Sequence, residues 1–202
     1  HRLLILLSVV VFAAAGAAYG YMTNSKYTSK ASLVVYPLVV DPAGTGSANS
    51  AKVDIATESR VASSREVAQN AAKSLIANGD TLSEAQLTSR LMNSVKVTGT
   101  SQTAVLDIEV TRPNGTDAAR YANAMANAYL QVRSESLKSS VDSALHQIDE
   151  QISGLEGDNN RAALLSQLQD RRAQIQLTST TGGRVMSEAQ VPSSSSALGP
   201  VK

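Results

Sequence analysis

Apolar residues open the chain with no periodicity. Residues 3–18 read LLILLSVVVFAAAGAA, and no charged residue occurs from Leu3 to Ser25. With Tyr19, Gly20 and Tyr21 the stretch reaches about 20 residues, the length that crosses a bilayer as a helix. Tyr19 and Tyr21 stand at one end, where amphipathic rings favour the membrane interface, and Arg2 stands at the other. Lys26 and Lys30 follow on the Tyr side, so the charge bias is weak. A membrane anchor is the favoured reading. A secretory signal cleaved near Ala15-Gly16-Ala17 is its rival. A buried soluble helix is a third reading, which apolarity on all sides disfavours. Gly16 and Gly20 stand four apart, the small-xxx-small spacing that lets membrane helices approach closely.

Past this segment the pattern alternates between periods of two and of 3.6. SKASLVVYPL, residues 29–38, is rich in β-branched residues and ends in Pro37, which predicts a strand. DPAGTGSANS, residues 41–50, predicts a loop. Asp54 is placed to cap a short helix reaching Arg60. Ser63 and Glu66 form a capping box for a second helix, with Val67, Ala68, Ala71, Ala72 and Leu75 on one face. Asn78-Gly79-Asp80 stops it. Thr81 and Glu84 open a third helix, carrying Leu82, Leu87 and Leu91. Val95 and Val97 then alternate across a strand at 94–99. Leu106, Ile108 and Val110 alternate with Asp107 and Glu109 across another at 104–111, and TSQT between them predicts a hairpin. Pro113-Asn114-Gly115 is a turn. It contains the glycosylation pattern Asn114-Gly115-Thr116, although turn chemistry already accounts for these residues.

A long helix follows. Ala118, Ala119, Tyr121, Ala122, Met125, Ala126, Tyr129 and Val132 form a broad apolar face, which narrows to Leu137, Val141, Leu145, Ile148, Ile152 and Leu155. From Val141 the steps are four, three, four, three, the heptad spacing of a helix packed on one partner. Gly154, Gly157, Asp158 and Asn159 break it. A return helix over 160–177 carries Leu164, Leu165, Leu168 and Ile175. The first arm is expected to span about 39 residues and about 58 Å. The return arm is only about half as long, so the base of the first arm must pack on something else, taken to be the sheet. RVMSEAQV, residues 184–191, predicts a last strand before a Pro- and Ser-rich exit.

Composition narrows the function. The 18 basic and 17 acidic residues leave a net charge of +1, which argues against a nucleic-acid partner. With no Cys, neither a disulfide framework nor a thiolate metal site is expected. Aromatic residues are 3% of the chain, too few for an aromatic-lined pocket or stacking platform. Gly44-Thr45-Gly46 and Gly182-Gly183-Arg184 lack the Gly-Lys-Ser/Thr ending of a phosphate loop. His146 lies in the heptad region and reads as solvated. Asp107, Glu109, Asp149 and Glu150 also read as solvated carboxylates. Arg171 and Arg172 read as surface residues of the return arm, one of them placed to pair with Glu150 or Asp149. No catalytic residue, cofactor site or metal ligand is assigned, and the chain is not expected to be an enzyme.

The order of elements is more informative than any motif: apolar segment, strand, short helices, hairpin, turn, long helix, return helix, strand, Pro-containing exit. This resembles the bacterial polysaccharide co-polymerases, the Wzz-type chain-length determinant family, with its relatives joined to a tyrosine autokinase. Four stretches carry the resemblance: YTSKASLVVYPL; SRVASSREVAQNAAKSL; VKVTGTSQTAVLDIEVTRPNGTDAARYANAMANAYLQV, with Ala122, Asn123, Ala124 and Tyr129; and SEAQVPSSSSALGP. The exit departs from the family pattern. Only Pro192 and Pro200 remain where closely spaced prolines are usual, and the arm is short, closer to capsule and exopolysaccharide forms.

The resemblance implies an α+β fold, with a mixed β-sheet near the membrane packed by helices, a long helical hairpin and an N-terminal transmembrane helix. A second membrane helix is expected beyond Lys202, the sequence being read as part of a longer chain. The expected divisions are 1–25 for the membrane helix and flank, 26–116 for the base domain, 117–178 for the long helix and hairpin, and 179–202 for the return strand and exit. It further implies a non-enzymatic scaffold in the inner (cytoplasmic) membrane, with residues after about 22 outside the cytoplasm. Such a scaffold governs the polymerisation, chain length or export of a capsule, exopolysaccharide or O-antigen type polymer. The implied partners are further copies of the chain in a ring, a membrane polysaccharide polymerase, the lipid bilayer and, in some members, a cytoplasmic tyrosine kinase. Glu135, Lys138, Asp142 and Gln147 are candidates to meet a neighbouring subunit, against the simpler reading that they are solvated. Two alternatives remain. One is an extracytoplasmic ligand-binding sensor domain between two membrane helices. The other is a secreted enzyme, for which no nucleophile or acid–base constellation is found.

Overall fold

The computed structural model of the chain describes residue 12 and residues 26–37, 53–100, 103–155, 161–177 and 180–196. The elements in order are β1 (Tyr27–Val35), α1 (Ile55–Ala62), α2 (Arg65–Ala77), α3 (Glu84–Ser94), β2 (Val95–Thr100), β3 (Val105–Arg112), α4 (Gly115–Ser153), α5 (Ala162–Gln176) and β4 (Gly183–Ser187). The expected α+β class stands. The expected membrane segment, apart from Phe12, and the loop at 41–50 lie outside the described residues. Among the described residues no helix is long and apolar enough to cross a membrane.

The four strands form one sheet in the order β2-β3-β1-β4. Every neighbouring pair is antiparallel. The expectation of a mixed sheet is corrected here. Each helical connection does join strands that run the same way, β1 to β2 and β3 to β4. In both cases another strand lies between them, so no parallel pair touches. This is the split β-α-β arrangement.

Alternation decides which face is buried. Ala31 lies opposite Ile108 and Leu33 opposite Leu106, and all four are fully buried with Val35 and Val110 beneath the helices. The other face is polar. Thr28 shares a 2.8 Å hydrogen bond with Thr111, and Asp107 accepts from Ser32 Oγ at 2.6 Å and Lys30 Nζ at 3.2 Å. Asp107 was expected to be solvated, but strand register brings two donors onto it.

Small side chains let the helices pack closely. Ala68, Ala71 and Ala72 of α2 and Ala118, Ala122 and Ala126 of α4 are almost wholly buried. Asp54 caps α1 as expected, accepting from Ala56 N and Thr57 N. These hydrogen bonds, the Thr57 hydroxyl foremost, hold its carboxyl below the usual range. The next two caps shift. α1 runs on to Ala62, so the Ser63 hydroxyl closes that helix by donating to Ser59 O, and Ser64 caps α2. Asp80 accepts from Leu82 N and delays α3, which Ser83 caps in a box with Gln86. Gly79, at φ +91°, provides the left-handed turn that ends α2.

We call the end of the sheet where β1 begins its foot, and the opposite end its head. α4 starts at the foot, where a Cβ on Gly115 would lie 3.2 Å from Pro192 Cδ and 3.5 Å from Tyr27 Cδ1. By Arg133 it has reached the head, beside Tyr36 and Gly182. Residues 134–153 then continue for about 30 Å. The 39-residue helix matches the expected length. Its second half packs on α5 through Val141, Ala144, Ile148, Leu168 and Ile175. Leu164, expected in this seam, is 45% exposed. β4 spans five residues rather than eight, because the chain beyond Ser187 leaves the ladder.

Candidate functional site

Three places gather polar chemistry, and the sequence identified only part of each. The first is the head, where the hairpin leaves the sheet. Arg133 lies on the apolar face of α4, one turn beyond Tyr129, and its side chain is 5% exposed. Its Nε donates to Gly182 O at 2.8 Å and its Nη2 to Tyr36 O at 2.6 Å. Its Nη1 donates to Glu58 Oε1 on α1. The other oxygen, Glu58 Oε2, accepts from the Tyr129 hydroxyl at 2.6 Å. A buried ion pair is tolerated only when its polar atoms find partners, and here the Arg133 donors at all three nitrogens are engaged. Burial, followed by the adjoining Glu58 carboxylate, pushes the Tyr129 phenol well above its ordinary value. The glycine pair has a steric role here. A Cβ at Gly182 would come within 2.7 Å of Arg133 Cγ, and one at Gly183 would collide with Val34 O.

The second place is the foot. Beyond β4 the chain runs back along β1, and Ser29 Oγ donates to Gln190 O while Ser196 N donates to Lys26 O. The two ends of the described unit therefore lie side by side. Asn123 on α4 fastens this exit segment twice, donating from Nδ2 to Ala189 O at 3.1 Å and accepting from Ala189 N at 2.8 Å. Asn123 and Ala189 belong to two of the segments on which the family resemblance was drawn. Nearby, Asp80, 6% exposed, accepts from Arg120 Nη2 at 2.8 Å and the Tyr121 hydroxyl at 3.3 Å. Burial first, then Asp80, pushes the Tyr121 phenol up. The Arg112 guanidinium lies 5.4 Å from the centroid of the Tyr121 ring.

The third place is the hairpin. Of the two arginines weighed for a cross-hairpin pair, Arg172 takes it, with Nε 2.6 Å from Asp149 Oδ1. Arg171 is half-buried rather than a plain surface residue. His146 is 77% exposed, 3.4 Å from Glu150, and so lies at the surface as read. Glu135, Lys138, Asp142 and Gln147 are all exposed, and Glu135 accepts from Gln131 at 2.9 Å. Near the tip a cleft of about 310 Å³ is lined by Glu150, Gln151, Gly154, Leu155, Leu164 and Leu168. Among the described residues no group of three or more His, Asp or Glu side chains could hold a metal. Among the described residues this polar chemistry joins elements to one another: α4 to α1 through Arg133, Tyr129 and Glu58, α4 to the exit segment through Asn123, and α4 to α5 through Asp149 and Arg172.

No protein-family model matches the chain, and no curated protein matches it. Among solved structures it is similar to a full-length bacterial polysaccharide co-polymerase, over 97% of this chain and 85% of that one, at 11% identity and a TM-score of 0.45. It is also similar to a fragment of WzzB, a polysaccharide co-polymerase from Salmonella Typhimurium. That match covers 86% of this chain and 100% of that one, at 12% identity and a TM-score of 0.35. A third similar structure is a point mutant of the Shigella flexneri lipopolysaccharide O-antigen chain-length regulator WzzBSF. There 84% of this chain and 99% of that one are covered, at 10% identity and a TM-score of 0.36.

Proposed function

We propose that the chain is a non-enzymatic membrane scaffold of the polysaccharide co-polymerase kind. It regulates the polymerisation, chain length or export of a cell-surface polysaccharide through homo-oligomeric assembly and contact with a membrane polymerase. The observation that carries this reading is the placement of the two ends. Lys26 and Ser196 meet at the foot, while the hairpin leaves from the head. Such a unit can be held between two membrane helices on one side and present an arm on the other. The apolar residues 3–18 supply the first helix in this reading, and a second follows the exit segment. Residues 26–116 and the first half of α4 form a base near the inner membrane, outside the cytoplasm. The rest of α4 and α5 form the arm. Any coupled tyrosine kinase works from the cytoplasmic side.

The resemblance of the four sequence segments supplies the polysaccharide. The Asn123–Ala189 clamp supports it by joining two of those segments in space. The arm's exposed charges leave it free to meet a neighbour in a heterologous, ring-closing contact. The test is the mass of the full-length protein in detergent, by light scattering corrected for detergent. A homo-oligomer of several subunits is expected. A monomer would overturn the reading. A dimer that binds a small ligand would replace it with a sensor domain.

A further inference from the structure

Among the described residues, two cations at the foot make no ion pair with a carboxylate. Lys26 is exposed and makes no ion pair among the described residues. Arg112, the last residue of β3, is half-buried. Its Nε is buried without a hydrogen-bond partner, and its guanidinium lies over the Tyr121 ring. Neighbouring Arg120 differs, since Asp80 and Asp117 accept from it at 2.8 and 3.3 Å. Stacking over an aromatic ring stiffens a guanidinium without occupying its N–H groups, which leaves a planar fork suited to a phosphate. The position of these cations says which phosphate. Tyr27 pairs with Arg112 across the sheet, so Arg112 lies beside the point where the chain enters the fold. Lys26 is eight residues past Ala18, the end of the apolar run, a reach of at most about 28 Å for extended chain.

We propose that Arg112 and Lys26 bind the phosphodiester headgroups of anionic phospholipids and so seat the foot of the base on the membrane surface. The proposal rests on the membrane-anchored reading above. Arg112 takes a phosphate through its guanidinium edge, and Lys26 adds a point charge. Each contact acts within a Debye length of the surface, about 8 Å at physiological salt, so the seat is salt-sensitive.

Residues 1–202 contain no Cys, and any Cys elsewhere in the full-length protein is first replaced by Ser, so that a single introduced thiol can be labelled. Ser193→Cys places a fluorophore on the exposed exit segment beside Pro192, and Gln151→Cys places one near the hairpin tip. The full-length protein is reconstituted in phosphatidylcholine vesicles with or without phosphatidylglycerol, each doped with a headgroup-attached quencher. The Ser193 label is expected to be quenched more strongly in the anionic vesicles. Arg112→Gln and Lys26→Gln are each expected to weaken that lipid-dependent seat about fivefold, and added salt to abolish it. Lys26 is exposed, so its variant tests the proposal even if Arg112→Gln misfolds. Equal quenching in both lipids, unchanged by either substitution, would overturn the phosphate contact and leave the anchored reading standing. No quenching at Ser193 in any vesicle, or quenching at Gln151, would overturn both.

Discussion

Replacing Arg133 with Met tests whether the hairpin is fastened to the base at the head. Met fills much of the same space but donates no hydrogen bond. The substitution leaves the Glu58 carboxylate, 12% exposed, without its cation, and it strips donors from Tyr36 O and Gly182 O. Removing one partner of a buried pair costs about 3–5 kcal/mol, because the remaining charge is stranded. The slight exposure of Glu58 admits some water and favours the lower end of that range. In a chain of this size about 3–5 kcal/mol lowers the melting temperature by about 6–20 °C. Replacing both partners, Arg133→Met with Glu58→Leu, removes the stranded charge and should recover most of the loss. Tyr129 then lacks its acceptor, so Tyr129→Phe belongs in the same background. The assay is a thermal melt by circular dichroism in detergent at one protein concentration, since assembly would otherwise shift the midpoint. A loss under about 1 kcal/mol for Arg133→Met, or the same loss with Glu58 already replaced, would refute the buried pair and the clamp built on it.

Three further outcomes are expected. Asn123→Ala removes both hydrogen bonds to Ala189, and hydrogen exchange across residues 188–196 should quicken about 30-fold, as a local loss of about 2 kcal/mol requires. Tyr129 should make stability fall with rising pH above about 10, because the unfolded phenol releases its proton there while the folded one retains it. Unfolding free energies from urea melts, compared between about pH 9 and 11, should fall for wild type relative to Tyr129→Phe with a slope of up to about 1.4 kcal/mol per pH unit. Gly183→Ala should cost more than Gly99→Ala in denaturant melts, by about 1–2 kcal/mol. The new methyl group meets the backbone oxygen of Val34 in the first case, with Val35 Cα 3.3 Å away; in the second its hardest contact is Ile55 Cγ2, which a repacking of that side chain would have to clear.

Local pattern revealed the elements and fell short where partners are distant. β3 was legible because Leu106, Ile108 and Val110 alternate strictly with polar residues, and α4 because apolar residues recur at helical spacing from Ala118 to Ile152. Strand order was not legible. Nothing local in β1 says that β3, rather than β2, lies beside it, so a mixed sheet and an all-antiparallel one look alike from the strands alone. The head network leaves one trace in the sequence. Ala122, Ala126, Tyr129 and Arg133 fall at helical spacing on one face, and a charge on an apolar stripe signals a buried partner. That partner, Glu58, is 75 residues away on a short helix with no unusual pattern of its own. Asn123 read as one letter of a small-residue segment, and its role required the exit segment to be in place. Leu164 was one of four apolar residues expected along the return helix, but the seam there rests on Leu168 and Ile175.

These attachments make α4 a single lever. At the foot its first residue packs on Tyr27 and Pro192, and Asn123 holds the exit segment. At the head Arg133 ties it to β1, to α1 and to the strand that returns from the hairpin. Between these points it lies on a core of alanines too small to swing without opening gaps. Beyond Arg133 the arm reaches about 30 Å, so a tilt of about 10° at the head moves the tip by about 5 Å, a full helical turn. The direction of the arm is therefore set by the packing of the base. In the scaffold proposed here, the spacing of neighbouring arms would follow from how each base is seated. In that scaffold the foot, where Asn123 and the exit segment meet, would have the leverage over the spacing of the arms.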